Sequence, residues 1–179
     1  MPRHMARNAA GSGGDWSNRL ISPIMRLALG VAAAVVLVDQ LSKWWIVGRI
    51  MDPPRPIEVT GFFALVLTHN RGVSFGLFDT DAFMAPWLFS GLALVIVAVL
   101  VYWLVGTRRR LPAVAIGLIV GGAVGNMVDR LRLGAVVDFL DFHWADLHWP
   151  AFNAADSAIA LGVLLLLADG LFGRRESPR

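Results

Sequence analysis

The sequence predicts an all-α membrane protein, a bundle of four transmembrane helices with a small β element on its outer side. Three observations carry this. Hydrophobic residues make up 56% of the 179 positions and charged residues only 16%, against the half and quarter usual in soluble domains. Apolar runs long enough to cross a hydrocarbon core of roughly 30 Å, which takes about 20 helical residues, occur four times. They lie at approximately Ile21–Val47, Phe83–Val105, Leu111–Leu131 and Ala154–Phe172. Finally, residues 48–82 interrupt the helical pattern with prolines, glycines and a β-rich run.

The length suits one domain. Residues 1–20 read as a disordered cytoplasmic lead, 21–172 as the membrane domain and 173–179 as a cytoplasmic basic tail. The first span carries Asp39 and has no small-x-small motif after its apolar run, so it is expected to be retained rather than cleaved. With both termini in the cytoplasm, ten of the sixteen basic residues fall inside, including the cluster Arg108–Arg110 in a very short loop. Ten of the thirteen acids fall outside or at the outer helix ends. Trp44, Trp45, Trp87, Trp144 and Trp149 would mark the outer interface, Tyr102 and Trp103 the inner one. The pI near 10.5 follows from these flanking arginines, and no nucleic-acid partner is expected.

Between the first two spans, Pro53, Pro54 and Pro56 precede the run Ile57–Thr68, read as a short antiparallel β element lying on the membrane. A second outer segment covers 132–153 and is rich in aromatics and acids. The third span sets Gly117, Gly121 and Gly125 on one stripe, a pattern that lets helices approach closely in lipid. No internal repeat supports an inverted-repeat transporter.

Ionisable residues within a span are costly and therefore candidates for function. Asp39 and Lys43, four apart with the acid first, form a helical ion pair that neutralises itself and fixes its helix. Asn126 and Arg130 share a side of the third span. Arg130 either pairs with Asp129, snorkels to the interface, or holds a substrate carbonyl and organises nearby carboxylates. Asp138 follows Gly134 inside the apolar stretch Ala135–Leu140, and Asp156 opens the fourth helix after Asn153. Both acids reach the same membrane level, on adjacent helices in this reading. Two carboxylates close together in apolar surroundings share a proton and supply a general base and a general acid. Asp156 alone also fits a helix N-terminal acid favoured by the dipole.

Other chemistries fit less well. The absence of cysteine excludes disulfides, thiolate metal sites and thiol nucleophiles. Asp138, Asp141, His143, Asp146 and His148 match no zinc signature and read as a wet interfacial loop, so no metal and no cofactor is expected. Ser42 and Lys43 are adjacent on a helix and point about 100° apart, which disfavours a Ser–Lys dyad.

Five boxes in order resemble the lipoprotein signal peptidases (signal peptidase II), bacterial membrane aspartyl peptidases. They are Asp39-Gln40-Leu41-Ser42-Lys43, Asn70-Arg71-Gly72-Val73-Ser74-Phe75, Gly121 through Arg130, Gly134-Ala135-Val136-Val137-Asp138-Phe139, and Trp149 through Asp156. The second box usually reads Asn-Thr-Gly-Ala-Ala-Phe, so Arg71, Val73 and Ser74 are departures that bear on substrate contacts. The resemblance implies a four-helix bundle with a small extracytoplasmic β cradle. It also implies removal of the signal peptide from a diacylglyceryl-prolipoprotein on the amino side of the lipidated cysteine. Asp138 and Asp156 correspond to the catalytic pair. Asn70, Gly72, Asn126, Arg130 and Asn153 correspond to substrate-binding and acid-orienting positions, and Asp39 and Lys43 to a supporting pair. The implied setting is a monomer in the bacterial inner membrane, in contact with lipid, its site near the periplasmic face and sensitive to globomycin-type inhibitors.

Overall fold

The computed structural model describes residues 22–72 and 85–172. The expected lead (1–20), the basic tail (173–179), Val73–Phe75 of the second box, Gly76 and the start of the second span at Phe83 lie outside the described residues. Among those described, four helices are long and apolar enough to cross a membrane. In chain order the elements are α1 (Pro23–Trp45), a π-helical turn (Ile46–Ile50), β1 (Ile57–Thr60), β2 (Phe63–Asn70), α2 (Ala85–Gly106), α3 (Arg110–Leu133), β3 (Val136–Trp144), β4 (Leu147–His148) and α4 (Ala154–Phe172).

Local chemistry sets the helix ends. Ser22 caps α1 by accepting the Met25 N–H at 3.1 Å, with Pro23 in the first turn where its missing N–H costs nothing. Gly134 ends α3 in the left-handed region (φ 71°), its N–H donating to the Arg130 carbonyl at 3.0 Å. That turn releases the chain into β3, four residues before Asp138.

Helix α3 is the centre of the bundle: 61% of its most apolar stretch is buried, against 22% or less for the other three helices. It packs on α1 and α4, and less extensively on α2. Glycines permit this closeness. A Cβ on Gly117 would stand 2.6 Å from the Ala28 carbonyl, and one on Gly121 would stand 2.7 Å from that of Ala32, both on α1. Gly122 meets the Ala155 carbonyl of α4 in the same way. The small-residue stripe is thus a helix-packing surface, as the sequence predicts.

The outward faces carry large exposed apolar side chains, among them Leu37, Leu41, Leu88, Leu92, Leu164 and Leu167, a pattern suited to lipid and costly in water. Exposed Trp44, Trp45, Trp87, Trp144 and Trp149 gather toward one end of the bundle, Tyr102 and Trp103 toward the other.

The β element is larger than the sequence suggests. The four strands form one antiparallel sheet in the order β1-β2-β3-β4. The expected β1–β2 hairpin is present, but β2 also pairs with β3, far along the chain, with Thr68 opposite Asp138. The second outer segment, read as a loop, therefore contributes strands. Asp138 comes from a strand and not from a helix end, which corrects the reading of two adjacent helices. Ile46, Met51 and Phe139 form the small apolar core joining this sheet to the bundle.

Candidate active site

The sheet and two helix ends converge on one buried polar cluster. Asp138 is 1% exposed and Asn153 fully buried. Asn70 sits on β2 diagonally from Asp138 and donates Nδ2 to Asp138 Oδ2 at 3.0 Å. Its own Oδ1 accepts the Gly72 N–H at 2.8 Å, an Asx turn in which Gly72 supplies the positive φ of 89°. After the β3–β4 ribbon the chain returns alongside β3, with the Phe152 N–H donating to the Leu140 carbonyl at 3.0 Å. That return brings Asn153 against the strand, where its Nδ2 donates to Asp138 Oδ1 at 2.7 Å.

Asn153 also begins α4. Its Oδ1 accepts the Asp156 N–H at 2.9 Å, and Asp156 Oδ2 accepts the Asn153 N–H at 3.3 Å, a reciprocal capping box. The other Asp156 oxygen accepts Nδ2 of Asn126 at 2.7 Å. Asp156 therefore caps a helix through one oxygen and faces the polar cluster through the other. Asn126 Oδ1 accepts from Asn153 Nδ2 at 3.1 Å and from Lys43 Nζ at 3.1 Å.

Lys43 anchors the far side. It pairs with Asp39 at 2.8 Å and with Asp129 at 2.7 Å, all three buried. Asp39 Oδ1 also accepts the Ala155 N–H at 3.0 Å, tying α1 to the start of α4. Asp129 accepts the Val137 N–H at 3.2 Å and Gln40 Nε2 at 2.9 Å. The sequence reading assigned no such role to Gln40 or Asp129. Their partners lie up to 89 positions away, and only the proximity of acid to lysine across two spans offered a signal. Asp129 turns to Lys43 while Arg130, the next residue on the helix, points elsewhere. Arg130 donates to the Asn126 carbonyl at 3.5 Å and lies over the Phe89 ring at 5.9 Å. Its Nε is buried without a hydrogen-bond partner among the described residues. Asp156, Asp138 and Asp129 all act on its charge.

Burial pushes the Asp138 carboxyl up to about 6, and the nearby Asp156 adds to the rise. The Asn70 and Asn153 amides and Lys43 pull it back only in part. The structure thus brings together every expected site residue, with Gly72 bracing Asn70 and the pair Asp39–Lys43 behind the cluster. Of the five acids and histidines weighed as metal ligands, Asp138 lies in this cluster, while Asp141, His143 and His148 meet on the β3–β4 ribbon.

A family model described as signal peptidase (SPase) II matches residues 31–172. A lipoprotein signal peptidase of Vibrio cholerae is 44% identical over 154 residues, covering 83% of each chain. One from Azoarcus sp. is 49% identical over 156 residues, covering 84% of this chain and 85% of that one. A bacterial membrane enzyme solved by the in meso method superposes with a TM-score of 0.71 at 29% identity, over 84% of this chain and 96% of its own. Sequence, span count and fold agree: this chain belongs to the signal peptidase II family and is a membrane peptidase that processes prolipoprotein signal peptides.

Proposed function

We propose that this peptidase hydrolyses the bond on the amino side of the diacylglyceryl-modified cysteine of a prolipoprotein, with Asp138 and Asp156 as the catalytic pair. The observation that carries the reading is the linkage of the two carboxyl groups through Asn126 and Asn153, at hydrogen bonds of 2.7 Å to each acid. Two acids held in one cluster, one of them with a carboxyl raised to about 6, suit a pair that carries a single proton. Burial favours Asp138 as its holder at rest.

In the reaction the ionised aspartate takes a proton from water as the water oxygen bonds to the scissile carbonyl carbon. The protonated aspartate hydrogen-bonds the developing oxyanion. Collapse of the tetrahedral intermediate breaks the carbon–nitrogen bond, and the leaving amine takes a proton from the pair. No covalent enzyme intermediate forms. Arg130, whose buried Nε has no hydrogen-bond partner among the described residues, holds a substrate backbone carbonyl with its flat guanidinium; Asn70, Asn126 and Asn153 orient the acids. The diacylglyceryl chains stay in the bilayer and fix the depth of the scissile bond, so that acids at one level meet it.

The arginine distribution supports cytoplasmic termini and a site near the periplasmic face of the inner membrane. The enzyme acts as a monomer, and a globomycin-type cyclic peptide blocks it. The test is incubation of the purified protein with lipidated and unlipidated prolipoprotein, with products read by mass spectrometry. The expected product begins at the lipidated cysteine and disappears with globomycin. Equal cleavage of the unlipidated substrate, or a cut elsewhere, contradicts the reading.

A further inference from the structure

The β3–β4 ribbon carries a second cluster of chemically active side chains that the peptidase reaction does not use. Asp141 and His143 are two apart on β3 and share one face of the strand, while Asp138, three residues from Asp141, projects to the other. His148 on β4 stands directly opposite His143 in the register. Three potential ligands thus converge on one face, with one ligand atom of each lying within 4.8 Å of the others.

Their hydrogen bonding is incomplete. His148 Nδ1 and Asp141 Oδ2 are 2.8 Å apart. His143 Nδ1 points at that same oxygen from 3.8 Å, and it is buried with no hydrogen-bond partner among the described residues. A buried imidazole nitrogen left unsatisfied beside a buried carboxylate calls for an explanation. The rings of His143 and His148 stack with centroids 4.9 Å apart, so both present nitrogen toward Asp141. Both also line an open depression of about 340 Å³ beside Trp144 and Trp149, which gives an ion a path in from solvent.

We propose that Asp141, His143 and His148 form a binding site for a first-row divalent transition metal ion, with Zn²⁺ as the probe of choice. Two imidazoles and one carboxylate suit Zn²⁺ or Cu²⁺ and not Mg²⁺ or Ca²⁺, which require more oxygen ligands. Ligand atoms near 2.0–2.2 Å from one tetrahedral ion stand roughly 3.3–3.6 Å apart, so coordination requires His143 to close slightly onto Asp141 and His148 to open slightly from it. Coordination replaces the hydrogen bond between His148 and Asp141, the imidazole proton moving from Nδ1 to Nε2 through solvent. The ion staples β4 to β3 at the ribbon tip, on the face of the strand away from the aspartate pair.

The test is calorimetric titration of Zn²⁺ into the untagged, chelator-treated protein in detergent, beside His143→Gln, His148→Ala and His69→Ala. The expected result is one saturable ion per chain, weakened about 100-fold or more in the first two variants and unchanged in the third. Zn²⁺ should raise the melting temperature of the parent and not of His148→Ala. His148 is more than half exposed, so its removal leaves the fold in place. No saturable binding by the parent would overturn the proposal. So would binding that survives in both ribbon variants and vanishes in Asp138→Asn.

Discussion

Asn153 donates its side-chain amide to Asp138 at 2.7 Å while its side-chain oxygen caps the helix that carries Asp156, at 2.9 Å from that residue's N–H. One side chain thus fixes the spacing of a strand-borne acid and a helix-borne acid. The two jobs separate by substitution. Asn153→Ser keeps a capping oxygen and loses the amide donor; Asn153→Ala loses both, including roughly 1 kcal/mol of cap. The serine variant is therefore expected to melt below the parent, having lost the buried amide bonds, but above the alanine variant by about the cap, and to lose on the order of 10- to 100-fold in kcat, with KM little changed. Steady-state kinetics beside thermal melts in detergent check this.

The raised Asp138 carboxyl has a thermodynamic signature. Its folded value of about 6 stands above the reference of 3.8, so its favourable contribution is complete below 3.8 and is lost as pH rises through about 6. Asp138→Asn has no such loss. Relative to the parent, the variant should gain melting temperature between pH 4 and 7, by a few degrees given about 2–4 °C per kcal/mol in chains of this size. In the parent, kcat/KM should decline as pH rises through the apparent value of the pair. Melting and rate profiles over this range measure both.

Helix glycines divide by what stands over them. A Cβ on Gly125 would lie 2.6 Å from Asp39 Oδ2, displacing the carboxylate that holds Lys43 and Ala155. Among the described residues nothing lies within 4 Å of such an atom on Gly30. Gly30→Ala should be neutral or stabilising by up to about 1 kcal/mol. Gly125→Ala should destabilise by about 1–3 kcal/mol, with activity falling too. Paired melts of the two variants decide the point.

Lys43 lies between two buried acids, Asp39 and Asp129. Lys43→Met leaves those charges unpaired and should cost about 3–5 kcal/mol. The Lys43→Met, Asp39→Asn double variant should recover part of that loss, which a thermal comparison of the three proteins will show.

Much of this arrangement is legible in the sequence because membrane physics leaves few choices. The spans follow from apolar length, and the glycine stripe from four-residue spacing. Asp39 with Lys43 follows from helical periodicity. What stayed hidden is long-range strand pairing. β3 is not read as a strand because Val136–Phe142 is apolar nearly throughout, without the alternation that marks a half-buried strand. Its turn to β4 runs through Ala145 at φ 51° and Asp146, in place of the Asn-Gly or Asp-Gly pair that signals a hairpin. Without that ribbon, Asp141, His143 and His148 look like loop residues, and Asp129 looks like the partner of its neighbour Arg130. The catalytic assignment drew on the five family boxes, since placement alone read Asp156 more readily as a helix N-terminal acid.

The most direct test of the aspartate pair is single-turnover cleavage of a diacylglyceryl-modified prolipoprotein by the parent, Asp138→Asn and Asp156→Asn, each shown to be folded by its melt. The account predicts cleavage by the parent and a loss of at least about 10⁴-fold in both variants, as expected when a unit of the chemical machinery is removed. Near-parental cleavage by either folded variant would contradict it.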